Sequence, residues 1–353
     1  MMYMHMADAL ISPVVGGTML AATVGVAAYS IKKIKYDLDE KKIPLMGVMG
    51  AFIFAAQMIN FSIPGTGSSG HLGGGMLLAI LLGPYEGFLT MASILLIQAL
   101  FFGDGGLLAY GCNVFNLGFY SCFIVYPLIY KWITRKGLKP RRIFWGSLLS
   151  AVLGLQMGAF SVVLETLLSG KTELPFGFFV LLMQPIHLAI GVVEGLVTAA
   201  VVTYVWNARP EIIENAAKGE ALGNISMKKV LTGLVIAVVV VGGALSWFAS
   251  ANPDGLEWSM EKVAGTAELN APDGIHTALS DLQSKTAFLP DYGFKASESE
   301  QAASGTQNQE AWPSVSAGTS VSGIVGGALT LALAVVIGVV VSLVKRRKKR
   351  AAV

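Results

Sequence analysis

Four histidines stand among 353 residues, and two of them sit where nitrogen chemistry is possible. His5 lies in MMYMHM, and His71 lies in GTGSSGHLGGG at 65–75. A terminal amine, the next backbone amide and an imidazole at the second position can wrap one metal ion. Their chelate rings hold three nitrogens in a plane, and one further imidazole closes a square that favours Ni(II) or Cu(II). Counted from Met1, His5 is at the fifth position and the chelate fails. A chain that starts at Met4 reads Met-His-Met-Ala-Asp, and the chelate closes. A solvated loop histidine is the other reading of His71.

Two further motifs imitate phosphate-binding loops. Residues 65–70, GTGSSG, match G-x-G-x-x-G, but apolar segments flank them instead of the strand and helix of a dinucleotide fold. SGKT at 169–172 lacks the leading glycine of a phosphate loop, because Glu165 holds that place. Any ATP chemistry must therefore come from a partner.

The elements that would position the histidines follow from composition. The chain is 54% hydrophobic and 13% charged, with mean hydropathy +0.64. Soluble domains carry about 25% charged residues, so an all-α integral membrane protein is expected. Apolar segments at 9–30, 44–62, 72–83, 87–102, 112–131, 143–168, 176–206, 229–248 and 321–344 give nine candidate spans, the third short and glycine-rich. Of 25 basic residues, 21 fall in 31–42, 131–142, 207–229 and 345–350. Basic short loops mark the cytoplasmic side. Nine spans put all four clusters there, with the N-terminus outside and the C-terminus in the cytoplasm. The tail KRRKKR abuts an apolar helix, so it reads as a stop-transfer anchor touching anionic lipid, with no nucleic-acid partner. No cleavable signal peptide is evident at the start.

The spans divide unevenly. Residues 1–207 form a seven-span unit, 208–228 a cytoplasmic linker, and 229–353 a two-span unit with an external loop at 249–320. That loop carries ten acidic residues and three lysines, and its second half, from Lys295, has the composition of a flexible linker.

Several polar residues could support a ligand or simply hold the structure. Ser69 adjoins His71, and Asp104 and Asn113 stand in FGDGGLLAYGCN, where either could orient an imidazole. His187 and Glu194, in HLAIGVVEG, share one helix face about 10 Å apart. Ionisable groups inside a span usually face the bundle interior, and a structural bond or partner contact suits this pair better than metal ligation. Met58, Met76, Met91 and Met183 read as packing. Cys112 and Cys122 lie about 15 Å apart if helical, too far for a disulfide.

MHMADALISP, TGSSGHLGGG, FGDGGLLAYGCN and HLAIGVVEG, in this order over roughly residues 4–207, resemble the CbiM/NikM family. These are substrate-binding membrane subunits of energy-coupling-factor transporters for cobalt and nickel. PDGLEWSMEKV at 253–263 resembles the PDGLE domain, the small accessory subunit of such systems, with Pro253, Asp254, Gly255, Leu256 and Glu257 as its motif. The resemblance implies a multi-pass protein of a prokaryotic plasma membrane. It implies no resident cofactor and no catalysis, only transported Ni(II) or Co(II). Met4 would give its amine, His5 its amide and imidazole, and His71 the last nitrogen. The extension Met1-Met2-Tyr3 departs from the family and would block the amine if retained. Partners would be a transmembrane coupling subunit and cytosolic ABC ATPases. Nickel is favoured, because a square-planar site suits it and the PDGLE part looks more like nickel systems. An autonomous channel or secondary transporter, and an intramembrane enzyme using His187 and Glu194, are the alternatives.

Overall fold

The computed structural model describes residues 5–37, 40–171, 174–223, 225–267, 269, 274–295 and 313–350. Fourteen elements matter here. They are α1 (Pro13–Asp37), α2 (Lys42–Gln57), β1 (Phe61–Ile63), β2 (Ser68–Gly70), α3 (Gly75–Leu82), α4 (Pro84–Phe102) and α5 (Tyr110–Thr134). Then come α6 (Pro140–Leu168), α7 (Phe176–Ala208), α8 (Pro210–Lys218), α9 (Lys228–Gly243), α10 (Gly255–Ala264), α11 (Gly274–Thr286) and α12 (Ala317–Arg350).

The expected all-α membrane architecture is what the chain forms. Each of the nine apolar segments falls on a helix, and α1, α4, α5, α6, α7 and α12 are long and apolar enough to cross a bilayer. α2 and α9, at 16 residues each, and α3, at 8, are shorter than the roughly 20 residues a perpendicular span needs. All eight residues of α3 are buried, so this half-length helix is enclosed by protein rather than lipid. In α5 the backbone widens to π-helical bonding over Phe115–Tyr130, a stretch where Pro127 withholds a donor.

α6 and α7 pack as an antiparallel hairpin, and α9 and α12 both lie against α2. The principal core joins α2 to α5 with the inner faces of α7, α8 and α9. Lys42 and Glu86 are buried together at 3.4 Å. Cys112 and Cys122 are buried and free.

Three regions differ from the sequence expectation. The glycine-rich segment begins as a short antiparallel hairpin, Phe61 opposite Gly70 and Ile63 opposite Ser68, within a chain expected to be all-α. The interval 208–228 contains α8, which turns Ile212, Ile213 and Ala216 inward and is no plain linker. The first half of 249–320 folds into α10 and α11 and docks on the seven-helix unit, because its apolar residues Leu256, Met260 and Leu279 join the cluster around Met6, Leu10 and Met183. Most of the linker-like second half lies outside the described residues.

Candidate metal centre

The segment 5–8 lies across the rim of the bundle, pinned by backbone bonds. Met6 N–H donates to Asn113 Oδ1 at 3.0 Å, while Asn113 Nδ2 and Gly106 N–H donate to Met6 O at 3.1 and 3.0 Å. Ala109 N–H donates to Asp8 Oδ1 at 2.9 Å. His276 Nε2 donates to the carbonyls of Asp8 and Ile11 at 3.0 and 2.8 Å. Asn113 thus holds the backbone that carries His5, not the imidazole.

Asp104 holds the imidazole. His5 Nδ1 donates to Asp104 Oδ2 at 3.0 Å, and Tyr292 O–H donates to the same oxygen at 2.6 Å. Burial alone would raise the Asp104 carboxyl, but the charge and hydrogen bond of His5, with the Tyr292 hydroxyl, outweigh it and hold it below the ordinary carboxylate range. With Nδ1 occupied, His5 Nε2 is buried and has no hydrogen-bond partner among the described residues.

His71 comes from the other side, on the turn that leaves β2. Its ring centroid lies 5.1 Å from that of His5, with the planes at 54°. Metal–nitrogen bonds of about 2.0–2.1 Å place two imidazoles on one ion with centroids roughly 4.5–6 Å apart, so the spacing fits. Glu194 fixes this turn: Gly73 N–H donates to its Oε2 at 2.7 Å and Gly74 N–H to its Oε1 at 3.1 Å. Gly74 has φ 80°, a conformation glycine adopts without cost. His187 donates Nδ1 to Met183 O at 2.8 Å, one turn back, and is not bonded to Glu194.

His5, His71 and His187 line one cavity of about 80 Å³, room for an ion and little else. Asp254, Gly255 and Leu256 close it from the accessory part. Ser69 serves that closure. Its N–H donates to Pro253 O at 2.7 Å and its hydroxyl to Asn252 O at 2.8 Å. A Cβ on Gly255 would sit 2.5 Å from Ile186 Cγ2 and 3.4 Å from His187 Cε1, so only glycine lets α10 approach this closely. Glu257 lines a neighbouring cavity of about 300 Å³ beside His5 and Asp8.

Among the described residues no group of three or more His, Cys, Asp or Glu has the spacing to hold a metal ion. Two imidazoles therefore need further donors. Met4, the expected amine, lies outside the described residues. The expected chelate closes only through His5 Nδ1, the nitrogen adjacent to the side-chain stem. Here Nδ1 faces Asp104, so the ring must turn over to chelate.

Sequence reasoning passed over Gln57, Gln98 and Tyr292. Gln57 and Gln98 had a signal, as uncharged polar groups inside apolar spans whose bonding had to be met within the protein. Gln57 Nε2 donates to Gly73 O at 2.9 Å, and Gln98 Nε2 donates to Gln57 Oε1 at 3.1 Å. Tyr292 had none, since it stands in a stretch read only as acidic loop.

Asp254 caps α10, accepting from Leu256 N–H at 2.9 Å and Glu257 N–H at 2.8 Å. Asp254→Ala is expected to cost about 1 kcal/mol of helix stability, read as faster hydrogen exchange over 255–264, whereas Asp254→Asn keeps the acceptor. Burial pushes this carboxyl up to about 7 from the ordinary value of 3.8. The docked form then holds a proton that the free form has lost across that window. Raising pH from about 4 to 7 should therefore weaken docking, and Asp254→Asn should reduce that dependence.

Comparison with known proteins places the whole arrangement. Residues 5–212 match the family described as the CbiM cobalt uptake substrate-specific transmembrane region, and residues 228–343 match the PDGLE domain. A putative fused nickel transport protein, NikMN of Archaeoglobus fulgidus, is 32% identical over 332 residues, covering 94% of this chain and 96% of its own. A putative cobalt transport protein, CbiM 2 of Methanosarcina barkeri, is 28% identical over 62% of this chain and 96% of its own. A crystal structure described as a transition metal transporter superposes with a TM-score of 0.52 at 31% identity, over 58% of this chain and 93% of its own. These relatives are named as transport proteins, so the chain is a transporter component and not an enzyme. It belongs to the CbiM family of substrate-specific metal-uptake membrane proteins, joined in one polypeptide to a PDGLE domain.

Proposed function

We propose that this chain is the ion-capturing membrane subunit of an energy-coupling-factor ABC transporter and that its cargo is Ni(II). The observation that carries the reading is the pairing of His5 and His71 at one ion-sized cavity, with ring centroids 5.1 Å apart and a His5 ring that is buried and only half-satisfied among the described residues. In a chain whose mature start is Met4, the amine of Met4 and the amide of His5 complete the square, with the His5 ring turned so that Nδ1 faces the ion and the other ring N–H takes over the hydrogen bond to Asp104. Ser69, Asp104, Asn113, His187 and Glu194 then act as supports for the ligand segments.

The sorting of basic residues supports a plasma-membrane orientation with the His5 segment outside and KRRKKR in the cytoplasm, against anionic lipid. A transmembrane coupling subunit and cytosolic ATPases would drive release inward, since this chain carries no nucleotide-binding loop of its own. Nickel is preferred because the fused nickel relative aligns through the accessory part as well as the bundle. Cobalt is the second reading, favoured by the description of the family itself.

The test joins mass spectrometry of the mature N-terminus to Ni(II) and Co(II) titrations of the full chain. High affinity is expected for a chain starting at Met4 and is expected to vanish in His71→Ala. Tight Ni(II) binding by a chain that begins at Met1 would sink the amine chelate, and undiminished binding in His71→Ala would remove His71 from the site.

A further inference from the structure

Tyr292 stands in a turn between α11 and α12, in the accessory part of the chain. Asp291 and Tyr292 hold φ of 50° and 56°, left-handed values that cost energy in residues other than glycine. That turn drives the Tyr292 ring inward, where it stacks on Phe102 at 5.1 Å and meets Phe54 edge-on at 6.1 Å. The hydroxyl arrives among polar atoms of the bundle. It donates to Asp104 Oδ2 at 2.6 Å and accepts from Gln98 Nε2 at 3.2 Å.

These two bonds join the supports of both imidazoles. On one side, Asp104 holds His5. On the other, Gln98 holds Gln57, Gln57 holds the carbonyl of Gly73, and Gly73 lies two residues after His71. Without the hydroxyl this bridge between the two sides is lost: Asp104 loses one of its donors, and Gln98 loses its acceptor on that side.

We propose that Tyr292 is a positioning residue for the ion site, through which the accessory part fixes the geometry of His5 and His71 together. This rests on the reading of those histidines as ligands. The arrangement ties ion affinity to docking of the accessory part, because a strained turn and an aromatic stack set the hydroxyl in place. Withdrawal of that turn removes one hydrogen-bond partner from each support at once.

The experiment is Ni(II) titration of the full-length protein carrying Tyr292→Phe, which keeps the stack and removes only the hydroxyl. Affinity is expected to fall about tenfold to a hundredfold, the range typical when a group supporting a metal ligand is removed. The Ni(II) ligand-field absorption of the saturated variant should shift as well. In the double variant with Asp104→Asn, the two losses should be far from additive, because they act through one another. Leu282→Ala, at an exposed position of α11 away from the aromatic stack and the polar chain, should bind like the parent. His5→Ala separates the two claims. If it abolishes binding while Tyr292→Phe binds normally, or adds fully to Asp104→Asn, the positioning role is overturned and the ligand assignment stands. If His5→Ala itself binds Ni(II) tightly, the ligand assignment falls and the positioning role with it.

Discussion

Glu194→Ala is expected to lower Ni(II) affinity about a hundredfold or more, although Glu194 lies on the far side of the glycine turn from His5. Its carboxylate is 3% exposed and accepts from two successive backbone N–H groups, Gly73 and Gly74. A hydrogen bond to a charged group contributes about 1.5–3 kcal/mol, and a buried donor left without a partner costs a further desolvation penalty. Alanine would strand both donors together. The turn can relieve that cost only by moving its N–H groups toward water, and His71 precedes those glycines and moves with them. Glu194→Gln should lose less, because its amide oxygen still serves one N–H while its NH2 opposes the other. The contrast is read by Ni(II) titration beside thermal unfolding. A fall in affinity with an unchanged unfolding midpoint assigns the effect to the turn. Wild-type affinity in Glu194→Ala would show that His71 does not depend on this anchor.

That effect also marks how far the sequence could be read. Helix placement was legible because apolar runs and sorted basic residues leave few alternatives in a bilayer, and all nine runs became helices. Helix length was less legible. The run at 72–83 promised a span but gives the eight-residue α3, enclosed on every side, since a buried helix and a lipid-facing one have the same composition. His5 and His71 could be singled out because chelation demands particular atoms at particular spacings. Their supports could not be assigned in the same way. Glu194 and His187 share one face of α7, yet Glu194 turns to the backbone of a distant glycine turn and His187 to its own preceding turn. Such choices depend on which buried donors lack partners, and that is known only once the chain is folded. Tyr292 is the extreme case, 188 residues from Asp104 and meeting it only because α10 and α11 fold back onto the rim.

The rim itself supplies the other large expected effect. Gly106 N–H donates to Met6 O at 3.0 Å, and a Cβ on Gly106 would overlap both the carboxyl group and the backbone nitrogen of Asp8. A flexible side chain could swing aside, but the backbone nitrogen cannot, because Met6 and Asp8 are pinned by Asn113, Ala109 and His276. Gly106→Ala should therefore lift segment 5–8 from its seat rather than compress it. Overpacking of this kind costs about 1–3 kcal/mol, and here the loss falls on the segment that carries His5 while the packed helices beneath it stay intact. Ni(II) affinity is expected to drop as far as in His5→Ala, with rapid hydrogen exchange confined to residues 5–11 and little change in overall unfolding. Gly105 is a useful contrast. Its φ is 79°, and a Cβ there would lie 3.0 Å from His5 Cβ and from Asn113 Nδ2, so alanine strains the turn but is tight rather than overlapping and asks its neighbours for only a small shift. If Gly106→Ala keeps protected amides at 5–11 and full affinity, then the segment reaches the cavity by another path, and the hydrogen bonds at Asn113 and Ala109 do not determine where His5 stands.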